Sequence, residues 1–326
     1  MQVFNQVDLS EWQEIADRCE YATFFHTPAW SKAFAETYPE MKIAAKKFVF
    51  DDRTRAILPL VKIKIVKGLL DSYISNAAGV YGGWISDKTL SAEQADKILK
   101  WISRHLKNLS WRINPFDPNL KNIAIPDTRP DFTQYLDLRN GFEPIYRSWT
   151  KGHASAVQQA RREGITIREA VSIEEWKDYF VIYEDSLRRW GEKATNSYPF
   201  VLFENLFKNG CRNVKLWLAC FENKPVSGAL CFYNNHHVVW WHGASLENYF
   251  PKRPAHLLQY EIIKDACEKG YWWYDFNPSG GHEGVVKFKK GFGAEKIGSD
   301  VICISSFSFK LLNKIRKYLI KLIRKN

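Results

Sequence analysis

The stretch of this chain richest in reactive side chains is YDFNPSGGHEGVVKFKKGFGAE, residues 274–295. It reads as a strand ending on Asp275, a glycine-rich loop (Gly280, Gly281, Gly284) and a cationic run with Lys287, Lys289 and Lys290 between Phe288 and Phe292. A glycine-rich turn after a strand lets backbone N–H groups approach a phosphate or an oxyanion, and neighbouring lysines add charge stabilisation. Alternation puts Lys287 and Lys289 on one face and Phe288 on the other, with one lysine partly buried between the aromatics. The competing reading is an exposed basic β-turn. Asp275 is the acid/base or orienting candidate, against a purely structural role capping its turn. His242, at the end of VVWWHGAS, is a candidate base for an attacking amine, which must lose a proton to become nucleophilic; beside two Trp, the alternative is a hydrogen-bonded core histidine. Neither Ser227 nor any cysteine has a triad setting, so direct attack in a ternary complex is expected rather than a covalent enzyme intermediate.

The elements that must position these residues come in two similar sets. Asp8 with Glu11 opens a helix carrying Trp12, Ile15, Ala16 and Cys19, and Ser172 with Glu175 opens one carrying Trp176, Phe180, Tyr183 and Leu187. Ser91 with Gln94 starts a helix that leads into SWRINPF, while a helix over 255–269 stops at Gly270 and leads into YWWYDFNP. Asn114-Pro115 and Asn277-Pro278 follow at matching places. Between these landmarks lie β-rich runs: KIAAKKFVF, RAILPLVKIKI and SYISNAAGVYGGWI, then VKLWLACFE, VSGALCFYN and HHVVWWHGAS. Matching order at an offset of half the chain predicts an internal duplication. The expected units are 1–145 and 146–305, joined through a strand at Thr133–Leu138. Lys151–Glu163 is a polar helix ending at Gly164, either a solvated face or an anion-facing helix beside a cleft.

FKKGFG at Phe288–Gly293, at its distance from Asp275, resembles the closing "yDFg...l..FK..FG" signature of FemAB-like transferases and of the related BioF2-like or CelD-like GNAT acyltransferases. FFHTPAW (Phe24–Trp30), the Arg-rich helix before Gly164 and Arg188-Arg189-Trp190 are similar to further landmarks of that group, so the resemblance spans nearly the whole chain. It implies an α/β fold of two tandem GNAT-like mixed-sheet domains and an N-acyltransferase moving an aminoacyl or acyl group onto an amine of a cell-envelope precursor, lipid-linked or nucleotide-linked. It implies that Lys289, directly after Phe288, contacts the acyl donor or the reacting centre. In GNAT folds the donor pyrophosphate rests at a helix N-terminus after the fourth strand; the matching place here is ENYFPKRPAHLL, with Lys252 and Arg253 as phosphate contacts. That text departs from the usual pyrophosphate loop, leaving both acyl-coenzyme A and aminoacyl-tRNA as donors. Trp30, Lys32 and Arg189 are weaker candidates for acceptor contacts. No resident cofactor or metal is expected.

Composition narrows the function classes. At 326 residues the chain suits two domains of ordinary composition, with no apolar run long enough to span a membrane and no secretion signal, so a cytoplasmic protein is expected. The six cysteines form no CxxC pair and read as reduced core thiols. Of the net charge of +11, residues 306–326 supply seven cations and no acid. That tail reads as a basic amphipathic helix, suited to an anionic membrane surface or to packing on the body. The modest charge of the remainder argues against DNA binding. Alternation sends one Trp of each pair, 240/241 and 272/273, into core, which removes the case for sugar stacking. Two other readings stand beside the leading one: an acyl-coenzyme A dependent N-acetyltransferase of a surface-polysaccharide amino sugar, and a non-catalytic membrane-associated binding module.

Overall fold

The computed structural model describes residues 1–65, 70–120, 128–191 and 196–305; the expected C-terminal helix over 306–326 lies outside them. The first half runs β1 (Gln2–Phe4), α1 (Leu9–Arg18), α2 (Pro28–Thr37), β2 (Met41–Ile43), β3 (Lys46–Val49), β4 (Arg55–Leu58), β5 (Val61–Ile65) and β6 (Leu70–Ser75). It continues through β7 (Tyr81–Gly82), β8 (Ile85–Ser86), α3 (Ala92–His105), β9 (Asn108–Ile113) and β10 (Thr128–Arg129). Then come β11 (Phe132–Asp137), α4 (Phe142–Ser148), α5 (Lys151–Arg162), β12 (Thr166–Glu169), α6 (Ile173–Trp190) and α7 (Phe200–Gly210). The chain closes with β13 (Val214–Phe221), β14 (Lys224–Asn234), β15 (His237–Ser245), α8 (Pro254–Glu268), β16 (Trp273–Asp275), α9 (Glu283–Gly291), β17 (Glu295–Gly298) and β18 (Val301–Ser305).

Local chemistry explains the helix starts. The Asp8 carboxylate accepts from the N–H groups of Ser10 and Glu11, and Ser91 with Gln94 and Ser172 with Glu175 form reciprocal capping boxes. Trp12 and Trp176, at matching places in α1 and α6, are both fully buried. Each half also contains parallel pairing, β6 and β7 with β9 in the first and β15 with β16 in the second, in otherwise antiparallel sheets. Two related α/β halves therefore stand in tandem, as the repeat predicts.

Sheet membership crosses the expected 145/146 boundary. β11 precedes it yet lies between β16 and β17 in the second half's sheet, whose order is β12-β13-β14-β15-β16-β11-β17. β18, the last described strand, lies between β10 and β9 in a first-half sheet of order β10-β18-β9-β6-β5-β2. The halves have exchanged strands, and Ile302 of β18 is fully buried in the first half's core. Further ties come from the turn after β14: Asn234 Nδ2 donates to the Ala22 carbonyl at 3.0 Å, and Asn235 Nδ2 to those of Ala16 and Cys19, each at 2.8 Å.

Two expectations change. Residues 283–291 form α9 rather than a strand or turn, so helical period and not alternation decides which lysine is buried. Among the thiols, Cys19, Cys220 and Cys231 are buried, but Cys303 is exposed because it alternates with buried Ile302 on β18.

Candidate active site

β16 ends where Asn277 takes a left-handed φ of 59° and turns the chain out of the sheet. Asp275 sits just before that turn, fully buried; its Oδ1 accepts from the Asn277 N–H and from Thr133 Oγ1 on β11, both at 2.7 Å. Oδ2 has no hydrogen-bond partner among the described residues. Burial raises the Asp275 pKa, while Tyr81, Thr133, Asn277 and Lys289 oppose the rise.

The loop after Asp275 leads through Gly280 and Gly281, both at positive φ, into α9. From α9, Lys289 turns back beneath that loop and is only 3% exposed; its Nζ donates to the Asn277 carbonyl at 2.6 Å and to Ser279 Oγ at 2.8 Å. Burial pushes its pKa down to about 7, against the pull of the Asp275 carboxylate. The loop thus wraps an ammonium through the Asn277 carbonyl and Ser279 Oγ, whereas the sequence reading had its N–H groups approaching a phosphate or an oxyanion. Lys287 and Lys290 are exposed on other faces of α9.

The glycines of FKKGFG have visible reasons. A Cβ at Gly291 would collide with the His153 ring at the start of α5, and Gly293 adopts φ 80° against Ser148. His153 Nε2 lies 3.0 Å from the Phe288 carbonyl. Phe288 itself is half-buried among His153, His256 and Trp240.

β15 and β16 pair in parallel only over His237–Val239 with Trp273–Asp275, and β15 then runs on to Ser245 alone on that side. A bulge shifts the β14/β15 register at Leu230/Cys231. Beside this open part lies a cavity of about 190 Å³, lined among others by Ser186, Arg189, Ser227, Trp240, Ser245 and Gln259. Arg189 Nη2 donates to Ser186 Oγ at 2.8 Å and to the Ser245 carbonyl at 2.7 Å, and its guanidinium lies over the Phe250 ring. The α8 N-terminus closes one end through Ala255.

The remaining predicted residues are placed less centrally. Lys252 pairs with Glu163 at 2.7 Å and lies over the Phe221 ring, while Arg253 takes φ 56° just before α8 and is exposed. His242 contacts Tyr179, whose hydroxyl is 2.6 Å from Nδ1, and the rings of Tyr183, Phe203 and Trp241, rather than Asp275 or Lys289. Burial pushes its pKa down to about 3, so it is neutral at pH 7, in keeping with the core-histidine alternative. Trp30 is fully buried among Phe25, Phe34, Phe232 and Trp241, which corrects its assignment to an acceptor contact: α2 turns it inward. Lys32 is on the same helix, exposed and 3.7 Å from Glu36.

Sequence reasoning missed Tyr81, Thr133 and Ser279. Tyr81 is fully buried, and its hydroxyl comes against Asp275 from the other half. Its signal was the glycine crowding of GVYGGW, which the β-rich reading passed over.

This combination of splayed parallel strands, bulged neighbour and helix start is that of a GNAT-like fold, built here from two halves in tandem. Residues 150–290 match the acetyltransferase (GNAT) domain family. A lipid II:glycine glycyltransferase of Staphylococcus haemolyticus is 32% identical over 106 residues, 29% of this chain and 25% of the relative. The match thus spans about a quarter of that relative's length. The crystal structure of FemX superposes with a TM-score of 0.70 at 14% identity, covering 92% of this chain and 97% of the other. A tandem GNAT protein from the clavulanic acid biosynthesis pathway superposes at 0.50 and 9% identity, covering 91% and 95%. Residues 150–290 are thus similar to a GNAT acetyltransferase domain, and the chain as a whole shares its fold with FemX.

Proposed function

We propose that this protein is an N-acyltransferase that moves an aminoacyl group from a tRNA ester onto an amine of a lipid-linked cell-envelope precursor. The observation that carries the reading is Lys289: a buried ammonium beside Asp275, within the span that matches the acetyltransferase domain. In acyl transfer the carbonyl oxygen of the donor becomes negative as the amine attacks. A desolvated cation aimed at that oxygen stabilises the transition state far more than it would in water. Lys289 supplies that charge, and Asp275 orients the acceptor amine or takes its proton. The amine nitrogen bonds to the carbonyl carbon, the ester oxygen leaves as the tRNA hydroxyl, and the proton lost by the amine balances it. Arg189 and the serines of the cavity hold the donor or acceptor near the open edge of β15.

The GNAT match keeps acyl-coenzyme A as a second donor. Against it stands the start of α8, where Pro254 brings no N–H and the N–H of His256 is bonded to the Arg253 carbonyl at 3.1 Å. A pyrophosphate depends on such free donors. Residues 306–326 serve in this reading as a basic amphipathic contact to the anionic leaflet carrying the acceptor, placing the protein at the cytoplasmic face. Among the described residues no helix is long and apolar enough to cross a membrane.

The deciding experiment offers the purified protein acetyl-coenzyme A, longer acyl-coenzyme A and labelled aminoacyl-tRNA, each with a lipid-linked disaccharide-peptide acceptor. Label reaching the acceptor from tRNA alone is the expected outcome. Transfer from coenzyme A alone establishes the second donor. Neither transfer nor a melting shift with any donor would leave a binding module.

A further inference from the structure

The segment between β6 and β8 of the first half reaches into the second half's site through an unusual backbone. Asn76 (φ 64°), Ala78 (φ 67°), Gly79 (φ 68°) and Gly83 (φ 100°) all occupy the left-handed region, which costs a non-glycine residue about 1–2 kcal/mol. Such a turn persists only where its surroundings determine it, and it is typical of functional sites. Here Asn76 Nδ2 donates to the Tyr81 carbonyl at 2.7 Å, and Ser75 Oγ accepts from the Gly83 N–H at 2.9 Å. Arg112 clamps the outer side: Nε donates to the Gly79 carbonyl at 2.6 Å, Nη1 to that of Ser299 at 3.0 Å, and Nη2 meets Asp131 at 2.9 Å. One guanidinium thus ties the turn to both places where the chain crosses between sheets. A Cβ at Gly82 would run into Ser75, so the turn can close only there with glycine.

What this scaffold delivers is the Tyr81 hydroxyl. It lies against Asp275, yet neither it nor Asp275 Oδ2 closes a hydrogen bond of ordinary geometry with a described residue. A buried hydroxyl and a buried carboxylate oxygen left unpaired are both costly, and they are each other's natural partner. We infer that Tyr81 is a positioning residue of the transfer site, donating from its hydroxyl to Asp275 Oδ2 and so holding Asp275 as an anion beside the Lys289 ammonium. The phenol keeps its proton throughout; burial and the neighbouring carboxylate hold its pKa well above the usual tyrosine value. The other groups facing the pair are Thr133 from β11 and, next to Tyr81, Arg112 from β9. His153 of α5 and His256 of α8 touch α9 at Phe288, and burial lowers the pKa of both. The inference rests on the transferase reading for its kinetic consequence alone.

The test is Tyr81→Phe, which deletes one oxygen and keeps the ring. Protein carrying ε-¹³C lysine is titrated by NMR, the Lys289 resonance being assigned by its loss in Lys289→Met. Weakening the Asp275 anion withdraws support from the ammonium, so the Lys289 midpoint should fall by about half a unit or more. The transfer rate should drop about tenfold, with its alkaline limb moved to lower pH and KM little changed. In an Asp275→Asn background, Tyr81→Phe should no longer move the midpoint. An unchanged midpoint in folded Tyr81→Phe protein, or an equal shift when the Asp275→Asn change is already present, overturns the inference. Because the titration needs no substrate, a shifted midpoint in a protein without transfer activity upholds the inference and sinks the transferase reading instead.

Discussion

The two halves use the same place in their sheets differently. In the second, β15 and β16 part beyond a short parallel pairing, and a cavity of about 190 Å³ opens near α8. In the first, the chain leaving the corresponding strand β6 folds back as the Asn76–Gly83 turn, and its β7 also pairs with β9 in parallel. That turn is packed shut, with Tyr81 and Ala77 buried and Gly83 against the Trp111 ring. A duplicated fold therefore need not give two sites: one copy offers an open cleft, and the other fills its cleft with the segment that completes its partner's.

The largest effect expected from breaking this arrangement comes from removing its last strand. Truncation before Val301 takes Ile302 out of the core and leaves β9 without its β18 partner, so the protein should fail to accumulate in folded form, as gel filtration and circular dichroism will show. A truncated protein with wild-type melting would mean that the exchange of strands does not join the halves.

Lys289→Ala should lower transfer about 10²–10³-fold while the protein stays folded. Lys289→Arg, charged at every accessible pH, should lack the alkaline decline expected of wild type above a pH of about 7. Activity that instead rises through that pH would make the neutral amine the working form.

The same lysine has a signature in stability. Its folded pKa of about 7 lies below the ordinary 10.5, so between those values the unfolded chain binds more protons. Its contribution to wild-type stability therefore rises with pH across that window. The melting temperature of wild type minus that of Lys289→Met should increase from pH 7 to pH 10, and a flat difference would show that Lys289 titrates normally.

Arg189→Ala, at the open cleft, should raise KM about tenfold with less change in kcat. Smaller still is Lys252→Ala, since that ammonium already pairs with Glu163 at the surface; stability should change by less than about 1 kcal/mol and donor affinity less than in Arg253→Ala.

Local order was legible from residues alone. Capping boxes at Ser91 and Ser172, the Asp8 cap, and the buried Trp12 and Trp176 that mark the repeat all depend on side chains within a few residues of one another. Asp275 and the lysines after it were legible as separate candidates, and the FKKGFG resemblance narrowed the lysines to Lys289. α9 was misread because a short run of Phe and Lys satisfies an alternating pattern as well as a helical one, and only packing against α5 and β11 separates them.

What the sequence by itself determined is thus the α/β class and the twofold order of elements, with Asp275 and the lysines after it as candidates for chemistry. Only the tertiary structure decided that β11 and β18 change places, that Lys289 rather than Lys287 or Lys290 is buried, and that Tyr81 from the other half faces Asp275. The reason is physical. Caps and periods are local, but strand partners and desolvation are set by segments far apart in the chain: Thr133 lies 142 residues from the carboxylate it supports.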